Sequence, residues 1–99
     1  QNQPRECRTS FSSSTTSRKH PSVIISEIKR VMGTIGVSFE MNTPFCLKAH
    51  CPRIDIRFEV EVCAPPNLTD IYVIRLRRIS GDWIHYKELC QTFLGSVHL

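Results

Sequence analysis

The sequence contains no apolar run that approaches the ~20 residues needed for a membrane-spanning helix. Its opening residues, QNQPRECRTS, also lack an initiator methionine and the apolar segment of a secretory signal peptide. We therefore expect a cytoplasmic domain that is neither secreted nor inserted across a bilayer, and that forms part of a longer chain.

Motifs for catalysis are absent as well. The sequence has no glycine-rich phosphate loop, no GxSxG and no HExxH. Cysteine and histidine residues occur, but they are scattered, and no local signature pairs a nucleophile with a base. We predict that the chain is not itself an enzyme, has no catalytic residues and needs no cofactor.

The cysteines lack the paired spacing of a disulfide scaffold. They are odd in number, which favours reduced thiols: Cys7, Cys46, Cys51, Cys63 and Cys90. The tightest metal-like group is Cys46, His50 and Cys51, with Cys63 as a conceivable fourth ligand. On a strand Cys46 and His50 would share one side while Cys51 faces the other, so we expect no metal site.

The composition is that of one compact domain. Hydrophobic residues make up 40% of the 99 residues, more than disordered chains contain. Lysine and arginine number 13 against 9 aspartate and glutamate, which gives a formal net charge of +4. This moderate excess only mildly favours a polyanionic partner, so the positions of the charges are more informative than their sum.

The first part of the chain predicts a strand followed by an amphipathic helix. Cys7, Thr9 and Phe11 alternate, so residues 6–15 are predicted to form a strand and residues 17–20 a turn. Pro21 suits the first position of a helix, and Gly33 and Gly36 are expected to end it. Its apolar stripe comprises Ile24, Ile25, Ile28, Val31, Met32 and Ile35, and its polar face comprises Ser22, Ser26, Lys29 and Arg30.

Further strands are predicted in the middle of the chain. Residues 37–41 and 45–51 should form a hairpin that turns at residues 42–44. Apolar and charged residues alternate strictly in IDIRFEVEV, residues 54–62, which predicts one wet side and antiparallel neighbours. The expected wet side carries Asp55, Arg57, Glu59 and Glu61.

The last part of the chain predicts one more strand and a second helix. In residues 71–80, Ile74 and Leu76 should point inward and Arg75 and Arg77 outward. Asp82 is predicted to cap a helix whose buried side is Ile84, Leu89, Phe93 and Leu94, with Tyr86 and Val97 at its edges. The fold class is α+β, a two-layer sandwich in which an antiparallel sheet of four to five strands has two helices packed on one face.

The basic residues are the best candidates for a binding site. Arg75, Arg77 and Arg78 fall within four positions, whereas Arg57 is largely neutralised by Asp55 and Glu59. Arginine suits the phosphates of lipid head groups or of nucleic acids. Nucleic-acid binders usually add exposed aromatic residues or a groove-reading helix, and packing is the simpler role for Tyr72, Trp83 and Tyr86, so we expect no nucleic-acid partner. A place for Trp83 at a membrane interface is the less favoured alternative.

The segments together resemble a known family. PRECRTSFSSSTTS, EIKRVM, FEVEVC and IRLRRISG, followed by a closing helix, resemble kinase-associated domain 1, found at the C-terminus of microtubule affinity-regulating and partitioning-defective kinases. The most specific pieces are EIKRV, EVEVC and RLRRISG, residues 27–31, 59–63 and 75–81. We assign residues 1–4 to an N-terminal flank and residues 5–99 to this domain; the end of the chain after a helix fits the C-terminus of such kinases.

This resemblance implies a non-catalytic regulatory domain of a serine/threonine protein kinase. The family binds anionic phospholipids, notably phosphatidylserine, which implies a peripheral position at the inner face of the plasma membrane. The alternative that it implies is an autoinhibitory module that docks on the kinase's own catalytic domain. We expect a monomer with the membrane surface and its own kinase domain as partners.

The family's basic positions correspond to Lys29, Arg30, Arg75, Arg77 and Arg78, and Arg5 and Arg8 match its opening PRxxR. Close relatives carry basic residues at two positions where this chain has Ser14 and Ser26. Because a cation beside an anionic membrane contributes ~1 kcal/mol, these two losses are expected to weaken lipid binding.

Overall fold

The computed structural model describes residues 3–7 and 13–99. In these ranges the chain forms five strands and two helices. Their bounds are β1 (Ser13–Ser17), α1 (Pro21–Thr34), β2 (Ser38–Thr43), β3 (Cys46–Cys51), β4 (Ile56–Cys63), β5 (Tyr72–Ser80) and α2 (Trp83–Ser96).

The five strands form one antiparallel sheet in the order β1-β5-β4-β3-β2. Strands β1 and β2 lie at opposite edges, so α1, which connects them, crosses one side of the sheet. Helix α2 follows β5 and packs against α1 and β1 on that side. The predicted α+β sandwich of two layers is therefore confirmed.

The alternation in β4 determines which side of the sheet the helices cover. Ile56, Phe58 and Val60 are fully buried beneath them, and Leu47 and Leu76 on the neighbouring strands are paired opposite Val60. We call this side the helix-covered face and the other the open face. Ile54 and Asp55, predicted to begin the strand, lie instead in the turn before it, where Asp55 has a φ of 51°.

Helix α1 begins as predicted and ends between the two glycines that were predicted to end it. Pro21 occupies the first turn, and the His20 ring nitrogen Nδ1 accepts a hydrogen bond from the Ser22 backbone N–H at 3.1 Å. The prediction that Gly33 ends the helix is wrong, because α1 continues to Thr34. Gly33 has open space around it and no positive φ, whereas Gly36 takes the left-handed conformation, with φ 75°, that turns the chain towards β2.

Helix α2 begins at the predicted cap but buries a different side. The Asp82 carboxylate accepts a hydrogen bond from the His85 backbone N–H at 3.0 Å. Ile84, predicted to be buried, is 65% exposed, and Tyr86, predicted to lie at an edge, is buried. The buried series Tyr86, Leu89, Cys90 and Phe93 follows the helical spacing i, i+3, i+4, i+7, which places Ile84 outside the stripe.

The N-terminal strand differs most from its prediction. Strand β1 extends to Ser17, which removes that residue from the predicted turn, and Thr9 and Phe11 lie outside the described residues. Glu6 does not belong to β1; it forms an isolated parallel bridge with Ala64, at the end of β4. Residues 3–7 are thus attached to the opposite end of the sheet from the β5–α2 connection.

Gly81 is the glycine with the strongest steric requirement. Its φ is 111°, and a Cβ at this position would lie 2.5 Å from Ile56 Cδ1 and 2.8 Å from the Asp55 carbonyl oxygen. We expect Gly81→Ala to lower the free energy of unfolding by about 1–3 kcal/mol from backbone strain, and further through the clash. Urea denaturation measures this change.

The matched control is Gly33→Ala, because a Cβ there meets nothing within 4 Å. This variant should be neutral or more stable by up to ~1 kcal/mol, since alanine favours a helix over glycine. Equal unfolding midpoints for Gly81→Ala and the unmodified chain would contradict the steric argument.

Candidate functional site

The predicted site residues do not all share one surface. Arg5, Arg75 and Arg77 lie on the open face, and Lys29 and Arg30 lie on the exposed side of α1. Arg78 follows Leu76 by two positions and is paired opposite Phe58, so it lies on the helix-covered side. Arg8 lies outside the described residues.

Arg5 and Arg75 both contact the carboxylate of Glu61, which the alternation in β4 places on the open face. Arg5 binds Glu61 through two hydrogen bonds, one from Nη2 to Oε1 at 2.8 Å, and Arg75 Nε lies 3.5 Å from the same Oε1. Glu61 is only 8% exposed, so the prediction of a wet Glu61 is wrong. A buried carboxylate is tolerated when cations surround it, and its hydrogen bond in turn raises the pKa of Arg5.

Residues 3–7 account for the burial of Glu61. The Cys7 backbone N–H donates to the Ala64 carbonyl at 2.7 Å, and the Ala64 N–H donates to the Arg5 carbonyl at 2.8 Å. These two bonds hold the segment against the end of β4 and place the Arg5 side chain over the open face. The strand pattern alone gave no signal for this covering segment.

Arg77 belongs to a row of alternating charges on the open face. Glu40, Lys48, Glu59 and Arg77 are successive partners across β2, β3, β4 and β5. Arg77 Nη2 donates to Glu59 Oε1 at 2.8 Å, and this bond raises the pKa of Arg77. The charge neutralisation expected for Arg57 alone therefore extends to Arg77.

Arg30 is also bound to a carboxylate, whereas Lys29 is not. Arg30 donates from Nε and Nη2 to Glu27 at 2.8 and 2.7 Å, and Nη2 also reaches the Ser96 carbonyl at 3.2 Å. Glu27 accepts a further bond from the His98 backbone N–H at 2.6 Å, which joins the end of the chain to α1. Lys29 is exposed and has no acidic partner within residues 3–7 and 13–99.

Arg78 forms part of an exposed corner where α2 begins. Its guanidinium lies 5.6 Å from the centre of the Trp83 ring and donates to the Gly81 carbonyl at 2.9 Å. Trp83 packs against Tyr86, with ring centres 5.7 Å apart, but it is 50% exposed and therefore does not lie in the core. We define the basic–aromatic corner as Arg78, Trp83, Ile84 and Lys87; in α2, Lys87 shares a side with Trp83 and Ile84.

Four further polar or basic positions bear on a phosphate-binding site. Ser14 is paired opposite Arg75 on the open face, and Ser26 is exposed on α1. Arg18 and Lys19 are exposed in the connection between β1 and α1, and they are not among the residues predicted from the sequence. Two consecutive cations just before a helix were the signal that could have identified them.

Other kinds of site are not evident in the part of the chain that the structure describes. Within residues 3–7 and 13–99 there is no group of three or more metal-binding side chains, and no helix that is both long and apolar enough to cross a membrane. All five cysteines are free thiols. Cys46 and His50 lie on the open side of β3, while Cys51 is buried on the helix-covered face.

Comparison with known proteins assigns the family. Residues 55–99 match the profile of kinase associated domain 1. Over 97 residues, covering 96% of this chain, the sequence is 34% identical to the probable serine/threonine-protein kinase MARK-B of Dictyostelium discoideum. It is 32% identical over 96 residues to MARK-C of the same organism, covering 97% of this chain. The chain belongs to the kinase associated domain 1 family, whose members are non-catalytic regulatory domains.

This kinase associated domain 1 spans only about an eighth of the kinases that it matches, 13% of MARK-B and 12% of MARK-C. A solved structure supports the fold. The adenylate sensor from AMP-activated protein kinase, crystallised with ZMP, superposes with a TM-score of 0.69, covering 90% of this chain and 96% of that one. At 12% identity this likeness concerns the fold alone.

The Glu27 contacts predict an acid-dependent loss of stability. The hydrogen bonds from Arg30 and then from the His98 N–H lower the pKa of Glu27 to about 2, against ~4.3 for an unfolded glutamate. Between these values the unfolded chain binds nearly one proton more at this site, so stability rises with pH through this window. We expect the stability advantage over Glu27→Gln to be full above about pH 5 and to disappear towards pH 2.

Urea denaturation from pH 2 to 7 measures this difference. The matched control is Glu88→Gln, which removes an exposed carboxylate that has no ion-pair partner within the described residues. If the difference between the unmodified chain and Glu27→Gln stays constant with pH, the contacts of Glu27 do not stabilise its charged form.

Proposed function

We propose that this kinase associated domain 1 binds membranes that contain anionic phospholipid of the phosphatidylserine type. It thereby helps to recruit a longer serine/threonine protein kinase to the inner face of the plasma membrane. The observation that carries this proposal is the basic–aromatic corner, in which a cation, an indole and an exposed isoleucine adjoin. Indole rings favour the interface between lipid and water, and guanidinium groups suit lipid phosphates.

The ion pairs within the domain indicate which cations are available to bind lipid phosphate. Arg77 and Arg30 each have a carboxylate partner, and Arg5 and Arg75 share Glu61. A lipid phosphate would have to compete with these carboxylates. Arg78 donates to the Gly81 carbonyl oxygen and lies over the Trp83 ring, and no carboxylate within the described residues pairs with it. Arg78 and Lys29 are therefore the members of the predicted site that are best prepared to meet phosphate.

The exposed apolar side chains of the basic–aromatic corner also support a second candidate function. Large exposed apolar residues mark contacts with proteins as well as with membranes. The same residues suit autoinhibitory docking of the domain on the catalytic domain of its own kinase. In that arrangement the membrane and the catalytic domain would compete for one surface.

Two adjacent arginines allow a matched test of the membrane proposal. Arg78→Ser should weaken binding to vesicles containing phosphatidylserine by about fivefold, because one membrane-facing cation contributes ~1 kcal/mol. Arg77→Ser removes the same charge from the open face, where Glu59 already neutralises it, and should change binding by less than about twofold. Vesicle flotation at low and at physiological salt measures both affinities.

Equal losses in these two variants would contradict the assignment of the contact to the basic–aromatic corner. Binding that is independent of salt would remove the electrostatic account altogether. Vesicles of neutral phosphatidylcholine provide the control for non-specific adsorption.

Trp83 offers a direct readout because it is the single tryptophan of the chain. Half of its side chain is exposed, so its fluorescence emission should shift to shorter wavelength when phosphatidylserine vesicles are added, and brominated lipids should quench it. The shift in emission and the quenching should both be lost in a variant that combines Ile84→Ser with Arg78→Ser. If the domain floats with vesicles while the Trp83 emission stays unchanged, another surface meets the lipid, and the corner remains available for the catalytic domain.

A further inference from the structure

Two of the five cysteines lie in direct contact. The sulfur atoms of Cys7 and Cys63 are 2.8 Å apart, compared with roughly 2.05 Å in a disulfide bond. Cys7 lies in the N-terminal segment and is half-buried, whereas Cys63 ends β4 and is almost fully buried. The two residues are 56 positions apart in sequence, so the fold alone brings them together.

The surrounding backbone holds this pair in register. The Cys7 N–H donates to the Ala64 carbonyl, and the Ala64 N–H donates to the Arg5 carbonyl, so hydrogen bonds adjoin the sulfur contact. The ion pair of Arg5 with Glu61 also holds the segment. These two residues each lie two positions before the cysteines in the sequence. The contact therefore rests on three independent attachments of residues 3–7 to the end of β4.

The other thiols are placed differently. Cys51 and Cys90 are buried in the core between the sheet and the helices. Cys46 lies on the open side of β3, where it is paired opposite Glu61 rather than Cys63. Within the described residues, Cys7 and Cys63 are the two cysteines with a sulfur–sulfur contact.

We infer that Cys7 and Cys63 form a reversible disulfide when the domain meets hydrogen peroxide, and that this modification locks residues 3–7 onto the sheet. The half-buried Cys7 sulfur attacks the peroxide, the O–O bond breaks, and Cys7 sulfenic acid and one water form. The Cys63 sulfur then attacks the Cys7 sulfur, the S–O bond breaks, and the leaving oxygen takes the Cys63 proton to form a second water. The two thiols lose two electrons, which reduce the peroxide.

The surroundings of the two cysteines indicate which one reacts first with hydrogen peroxide. Burial, followed by the hydrogen bond with Cys7, raises the pKa of the Cys63 thiol to about 12. Cys63 is therefore protonated at neutral pH and shielded from solvent, which suits the resolving thiol rather than the thiol that meets the oxidant first. This modification does not depend on the proposed lipid binding, because neither sulfur belongs to the basic–aromatic corner.

Peptide mapping of the 99-residue chain tests the inference. After mild hydrogen peroxide treatment, alkylation and trypsin digestion without reductant, residues 6–8 should be linked to residues 58–75, which contain Cys7 and Cys63. Dithiothreitol should release the two peptides. The oxidised domain should also melt about 5–15 °C above the reduced domain, because the disulfide closes a long loop.

Three variants make the outcome decisive. Cys7→Ser should abolish both the linked peptide and the gain in melting temperature, and Cys46→Ser, on the same face, should preserve both. Cys63→Ala provides a second deletion of the pair if its melting curve shows a folded domain. The inference is overturned if the linked peptide is absent when Cys7 is oxidised, if Cys63 links instead to another cysteine, or if the disulfide forms without raising the melting temperature.

Discussion

The strict alternation of β4 is the constraint on which the rest of the structure depends. Ile56, Phe58, Val60 and Val62 are completely buried, and one strand can bury four such side chains only if helices cover one whole face of the sheet. Helix α1 therefore crosses the sheet between its two edge strands, and α2 returns over the same face. The connection at Gly81 must then pass so close to Ile56 that no side chain fits. Core, layer arrangement and the position of the basic–aromatic corner all follow from this one pattern.

The same alternation creates an electrostatic problem on the open face. Glu59 and Glu61 must point away from the helices, and Glu61 is then covered by residues 3–7. A carboxylate that loses water in this way needs cations close by. Arg5 and Arg75 supply them for Glu61, and Arg77 does so for Glu59. Three of the arginines predicted to bind lipid thus also stabilise the fold. If they were substituted, a loss of lipid binding could not be distinguished from a loss of stability.

The sequence predicted the fold well, because hydrophobic periodicity is a local property. The fold class, the Asp82 cap and the stripe of α1 were all readable from residues close to one another. Apart from small shifts in where helices and strands begin or end, the errors concern positions that depend on distant parts of the chain. The rotation of α2, which exposes Ile84 and buries Tyr86, depends on how that helix meets the sheet, and the burial of Glu61 depends on a segment more than fifty residues away. Likewise, the sequence predicted one cluster of three arginines, Arg75, Arg77 and Arg78. Neighbouring residues of a strand point to opposite sides, so Arg78 lies on the other side of the sheet from Arg77.

This division of the arginines has a consequence for the proposed membrane binding. The basic–aromatic corner contains two cations, Arg78 and Lys87, and ~1 kcal/mol from each amounts to an affinity gain of roughly thirtyfold. Trp83 and Ile84 are already partly covered, so their insertion adds about 1 kcal/mol each rather than the full value for burying such side chains. The sum corresponds to weak, reversible attachment, as with single lipid anchors, which need a second signal for stable membrane binding. On this proposal the domain acts as a coincidence detector: it adds to a second membrane or protein contact in the longer kinase and does not anchor the kinase by itself.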